Sequence, residues 1–203
     1  MHELRCKTAT LLLAVATASA TLAHSQSAEA QNPKWDFGIW AGGATGEEAT
    51  NSFSEAQILT GGFYVGRVIT GELGNHWYRG RFEYGFDVAP LFVQFQPQRI
   101  EGTAFDPLIF RWHSSPRGGA ITPFLELSGG AVHTTANFPA GDTSTFNFIT
   151  RGGGGLLVLT KPNQALEVAF RWWHISNANL GTRNPEFNGI QVSVGYHWMK
   201  WVG

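Results

Sequence analysis

The sequence predicts an all-β fold, an eight-stranded antiparallel transmembrane β-barrel of the outer-membrane type. Three observations predict it. First, apolar and polar residues alternate in eight separate runs, the period of a strand and not of a helix. Second, the alternation carries an unusual sign. Its polar positions are Asp36, Arg81, Glu83, Asp87, Arg111, Glu126, Arg151, Glu167 and Arg171, four arginines against five acids interleaved with glycine. Such a balanced set can pair within a narrow lumen, and the opposite face is Phe, Trp, Leu, Val and Ile, so the pattern is polar-in and apolar-out. Third, the N-terminus reads as a secretory leader, which removes the cytoplasm as a destination. A soluble sandwich or barrel with an aromatic core is the alternative, but its polar face would be scattered Lys, Thr and Glu meant for water.

Composition agrees. Charged residues make up 14% of the 203-residue chain and aromatics 13%, with 25 glycines. That is well below the usual quarter of charged residues. The net charge of −1 implies no broad attraction to nucleic acid. Residues 1–30 are expected to be a cleaved signal peptide and 31–203 a single barrel domain. Arg5 and Lys7 start the leader, 10–23 is apolar or small, and Ala28-Glu29-Ala30 is a cleavage site, with Ala18-Ser19-Ala20 a second candidate. The apolar run is too short and too rich in Ala and Thr for a membrane-anchoring helix. The single cysteine, Cys6, precedes that run, so neither a lipoprotein anchor nor a disulfide is expected.

The strands follow in order. Trp35, Phe37 and Ile39 alternate with Asp36, Gly38 and Trp40. A vaguer run covers 58–70. Phe82, Tyr84, Phe86 and Val88 alternate with Arg81, Glu83, Gly85 and Asp87, the clearest case. Leu108, Phe110 and Trp112 alternate with Ile109, Arg111 and His113, and Ile121, Leu125 and Leu127 with Phe124, Glu126 and Ser128. Strand-like runs at 146–160, 168–176 and 190–201 complete eight. The connections alternate in length, with 43–57, 91–105, 133–145 and 177–188 long and 71–78, 114–120 and 161–163 shorter, as outer loops and periplasmic turns do. No run of 18 apolar residues is present after the leader, so no spanning helix is predicted. The glycines at 152–155 lack the Gly-Lys-Ser/Thr ending of a phosphate loop and read as a bend or close packing of a tight barrel. His76, His113, His133 and His197 show no metal-ligand spacing, two in expected loops and two on inward faces. No metal or cofactor is expected.

The chemistry concentrates at the end of the seventh strand. Val168, Phe170, Trp172, His174 and Ser176 share one face, and Glu167, Ala169, Arg171 and Trp173 the other. Two strand residues span roughly 6.6 Å, so the imidazole can lean onto the hydroxyl and take its proton. Counted from a periplasmic N-terminus, this strand runs outward and carries the pair to the outer leaflet, facing lipid.

At His174-Ile175-Ser176-Asn177-Ala178, with Asn184-Pro185 and Asn188-Gly189 behind it, the sequence resembles the PagL family of outer-membrane lipid A 3-O-deacylases. Glu167, seven residues before His174, also looks familial. Specific similarity covers roughly 166–201; the rest agrees in architecture. The resemblance implies a serine esterase acting on lipopolysaccharide lipid A in the outer membrane, with Ser176 as nucleophile, His174 as general base and Asn177 as oxyanion support through its backbone N–H or side chain. It also implies a Glu early in the last strand. The positions considered there, Ile190, Gln191 and Val192, are not acidic, and Gln191 points inward by parity unless a bulge intervenes. Glu186, in the preceding loop, is the nearby acid and the candidate third catalytic residue. The chain's Trp201-Val202-Gly203 end also departs from the terminal aromatic common in such barrels. A monomer or homodimer is expected. The alternatives are a noncatalytic small barrel, adhesin or structural, an inactivated family member, and a soluble lipid-binding barrel, the last disfavoured by the Arg and Glu of its interior.

Overall fold

The computed structural model describes residues 34–48, 51–52, 55–115, 119–140 and 143–200. The expected leader 1–30 and the terminal 201–203 lie outside them. The strands are β1 (Trp35–Gly46), β2 (Gln57–Val68), β3 (Gly80–Gln96), β4 (Ile100–Ser114), β5 (Ile121–Phe138), β6 (Ser144–Lys161), β7 (Gln164–Ser176) and β8 (Phe187–Lys200). Each pairs antiparallel with its sequence neighbours, and β8 pairs with β1, so the sheet is closed. Closure removes the free edges that hydrocarbon cannot solvate. A 3-10 turn, His76–Tyr78, lies between β2 and β3.

The faces sort as their parity requires. Along β7, Glu167, Ala169, Arg171 and Trp173 are buried, while Leu166, Val168, Phe170 and Trp172 are exposed. The lumen is filled, not open. Arg111 pairs with Glu126 and Glu167, Arg171 with the same two acids, and His197 bridges Asp36 at 2.8 Å and Glu167 at 3.2 Å. Arg151 pairs with Asp106 at 2.9 Å, and the Tyr64 hydroxyl donates to Glu83. The void among these residues is about 10 Å³, room for at most a water molecule.

Above the charged layer, towards the end where β7 finishes and β8 begins, the lumen becomes apolar. Phe92, Ile100, Ala104, Val132, Phe138, Ile149, Trp173, Ile175 and Phe187 form one buried cluster there. At the same end Glu101, Thr103, His133 and Thr135 face outward. The sign of the alternation therefore inverts along a single strand. This explains why 91–105 and 133–145 read as long loops. The structure continues β3 to Gln96, starts β4 at Ile100, and carries β5 to Phe138, leaving connections of only 97–99 and 139–143. His133, expected in a loop, stands on β5. The expected alternation of long and short connections does not hold either. The connection 69–79, at the lower end, is as long as 47–56 and 177–186 at the upper rim.

The inward glycines of β6 answer to close packing. A Cβ on Gly153 would lie 2.1 Å from the Phe170 carbonyl oxygen, and one on Gly155 2.3 Å from that of Val168. The two strands approach closely enough that no side chain fits between them.

Candidate active site

β7 ends at the upper rim with His174 and Ser176 on its outward face. The β7–β8 ladder runs without a register shift from Gln164↔Trp198 to Ile175↔Phe187, and it sets Asn188 directly opposite His174. Paired residues of an antiparallel ladder share a face, so Asn188 also points outward. The His174 ring stacks on Trp172 with centroids 5.9 Å apart and planes 16° from parallel.

Both ring nitrogens are engaged. Nε2 lies 3.2 Å from Ser176 Oγ, and Nδ1 lies 2.9 Å from Asn188 Oδ1. An amide oxygen can only accept, so Nδ1 carries the proton and Nε2 offers its lone pair to the serine hydroxyl. Asn188 is held in that orientation by its own amide, whose Nδ2 donates to Glu186 Oε2 at 3.4 Å. Glu186 Oε2 is 3.9 Å from His174 Nδ1. That is an ion-pair distance and too long for a hydrogen bond. The row therefore reads Ser176, His174, Asn188, Glu186, with the carboxylate one position removed from the ring.

The connection 47–56 fixes this row from the side. Glu186 N–H donates to the Asn51 carbonyl at 2.8 Å, Asn188 N–H to Ser52 Oγ at 3.1 Å, and Glu47 N–H to the Asn188 carbonyl at 2.7 Å. Asn51 Nδ2 donates to the Asn184 carbonyl at 2.9 Å. The 177–186 loop is thus fastened to a segment more than a hundred residues earlier in the chain.

Asn177 has a different place from the one expected. Its backbone N–H donates to Asn184 Oδ1 at 2.9 Å and its side-chain Nδ2 to the Arg183 carbonyl at 2.8 Å, and the residue is buried. Those bonds close the loop, and the backbone N–H is not free for an oxyanion. The next two residues, Ala178 and Asn179, adopt left-handed conformations with φ of 50° and 62°. Each such residue carries a cost of roughly 1–2 kcal/mol, least for Asn. The Asn177 bonds and the Leu180 N–H to Asn177 carbonyl bond hold them there. Gly181 is needed for close approach, since a Cβ would lie 2.8 Å from Asn177 Nδ2 and 2.9 Å from the Thr143 carbonyl oxygen.

Gln191 is not a partner of His174. It is fully buried in the lumen, where its Oε1 accepts from Trp173 Nε1 at 3.1 Å. With no bulge in this ladder, the inward parity stands. The sequence reading missed Asn188. It began the last strand at 190, whereas β8 begins at Phe187. Asn188-Gly189 also has the look of a turn dipeptide, which hides a strand residue.

A closed barrel with an apolar outside, a charge-paired inside and a serine–histidine row at one rim defines an outer-membrane β-barrel protein with a candidate hydrolytic site. The chain belongs to the PagL family: residues 29–197 match the family described as lipid A 3-O-deacylase (PagL). Family and fold together place the protein in the bacterial outer membrane. Among solved structures, the outer membrane enzyme PagL is 19% identical with a TM-score of 0.55, over 79% of this chain and 98% of that one. Neisserial surface protein A is 12% identical with a TM-score of 0.58, over 81% and 96%. The outer membrane protein OprG from Pseudomonas aeruginosa is 11% identical with a TM-score of 0.53, over 85% and 99%. At these identities the three establish the shared barrel. No curated protein matches the chain.

Proposed function

We propose that the protein is a lipid A 3-O-deacylase, a serine esterase that removes the 3-O-linked acyl chain from lipopolysaccharide in the outer leaflet. The observation that carries this reading is the row at the rim: His174 Nε2 at 3.2 Å from Ser176 Oγ, with Nδ1 held by Asn188. Family membership supplies the substrate class.

In this reading Ser176 Oγ attacks the ester carbonyl carbon while His174 Nε2 takes its proton. The 3.2 Å separation shortens as substrate closes the site. Negative charge gathers on the carbonyl oxygen. The backbone N–H groups of Ala178 and Asn179, in the left-handed turn that follows Ser176, are the donors proposed to meet it, in place of the engaged N–H of Asn177. The C–O bond then breaks, and the proton on Nε2 passes to the departing sugar oxygen. Water attacks the acyl-serine with His174 again as base, releasing the fatty acid. Throughout, Asn188 keeps the ring in one tautomer, and the Glu186 carboxylate offsets the charge of the imidazolium from 3.9 Å.

Mass spectrometry of lipid A from cells with and without the protein tests the reading. Loss of one 3-O-linked acyl chain only when Ser176 is intact supports it. Asn188, neutral where the resemblance implies a carboxylate, favours an inactivated family member as the second reading, and lipid A of unchanged mass would select that one.

A further inference from the structure

At the opposite end of the barrel from the serine, cations gather on the outer wall. The last outward row across β8, β1 and β2 is Lys200–Trp35–Arg67. Lys34 lies just beneath it, its N–H donating to the Lys200 carbonyl at 3.1 Å and its own carbonyl accepting from the Val68 N–H at 3.1 Å. Lys34, Arg67 and Lys200 are all exposed. The Arg67 guanidinium leans over the Trp35 ring, 5.3 Å from its centroid, and so toward the strand that carries Lys200. None of the three pairs with an acid among the described residues. Asp36, next in sequence, is turned into the lumen and held by His197. The lower connections carry one acid among the described residues, Glu72, and Arg79 occupies it at 3.5 Å.

The depth of this row is set by the row above it. There Trp198 and Phe37 stand side by side on the outward face, Phe37 stacked on Trp35 and Trp198 on Tyr196. A band of Trp and Tyr marks the boundary between hydrocarbon and headgroups. The cations thus lie one row beyond that boundary, at the level of lipid phosphates. Snorkelling explains a single long cation at such a depth, but gives no reason for three side by side without a counter-charge.

We infer that Arg67, Lys200 and Lys34 form a binding site for the phosphate of an anionic phospholipid in the inner leaflet. The occupant follows from charge and from continuity. The wall above the row is the lipid-facing surface itself, so acyl chains lie against Trp35, Phe37 and Trp198 while the headgroup meets the cations. Arg67 and Lys200 are two strand spacings apart, roughly 10 Å, and their long side chains reach one phosphodiester from either side of Trp35. Arginine supplies a planar fork for two of its oxygens, and the lysines add charge that favours a net-negative headgroup over a zwitterionic one. The site needs no catalysis at the other rim. It needs only the orientation that puts the serine at the outer leaflet and this end at the inner one.

The test is native mass spectrometry of the full-length folded protein in detergent, titrated with phosphatidylglycerol and, separately, with phosphatidylcholine of the same chains. The wild type should bind phosphatidylglycerol about tenfold more tightly or better. Arg67→Gln and Lys200→Gln should each weaken that binding about fivefold and leave phosphatidylcholine unchanged, while Arg99→Gln at the upper rim changes neither. Each variant is checked for the gel shift of a folded barrel. The wild type alone gives a second reading, since its preference should shrink between about 0.05 and 0.5 M salt as screening tightens. Equal binding of the two lipids by the wild type, a preference insensitive to salt, or one retained in full by folded Arg67→Gln and Lys200→Gln would overturn the inference. Unchanged lipid A in cells would refute the esterase reading and leave this site standing.

Discussion

Replacing Glu186 by glutamine removes a charge and little else. The new side chain can still accept the Asn188 amide through its carbonyl oxygen, so the His174 ring stays in the same tautomer. What disappears is a carboxylate 3.9 Å from the nitrogen that shares the imidazolium charge. Two unit charges at that distance attract by about 1 kcal/mol in a water-like medium and about 4 kcal/mol at the effective dielectric of a partly buried site. The Glu186 side chain is 33% exposed and that of His174 28%, which places the pair toward the lower figure. A loss of about 1–2 kcal/mol of transition-state stabilisation lowers turnover by roughly 5- to 30-fold. The assay is kcat for ester hydrolysis at low ionic strength, repeated at about 1 M salt, where screening over about 3 Å narrows the gap between wild type and variant. A Glu186→Gln enzyme within twofold of wild type at low salt would refute the claim that this carboxylate acts on His174.

Three other outcomes follow from the same geometry. Asn188→Ala frees Nδ1 and the ring tautomer, so kcat should fall by about a hundredfold or more while the barrel keeps its heat-modifiable migration. Phe170→Arg puts a charge on the lipid face of β7 and should cost about 2–4 kcal/mol of stability in urea unfolding from lipid vesicles, if that site lies near the midplane; a neutral effect would show that the outward face of β7 does not meet hydrocarbon. Gly153→Leu should yield no folded barrel by gel shift, because its Cβ would lie 2.1 Å from the Phe170 carbonyl oxygen.

The middle of the barrel was legible because two opposite solvents act on it. Lipid outside and a narrow lumen inside force every second residue into one class, and the set from Asp36 to Arg171 shows this directly. The same parity placed His174 and Ser176 together and turned Gln191 inward. The upper third was not legible, because there the lumen is apolar and the outside polar. Residues such as Phe92 and Ile100, set against Glu101 and Thr103, break the pattern that marks a strand below. Asn188 was hidden for a different reason. Its meeting with His174 depends on where the 177–186 loop closes, and that is set by Asn51 and Ser52, far away in sequence. Local spacing carries no trace of such a bond.

The central claim is that Ser176 is a nucleophile made reactive by His174. Its most direct measurement is labelling of the detergent-solubilised protein with an alkyl fluorophosphonate, followed by peptide mass spectrometry. The account predicts one adduct, on the oxygen of Ser176, absent in Ser176→Ala and strongly slowed in His174→Ala. An unlabelled wild-type barrel, or an adduct on Ser176 that forms equally fast without His174, would contradict it.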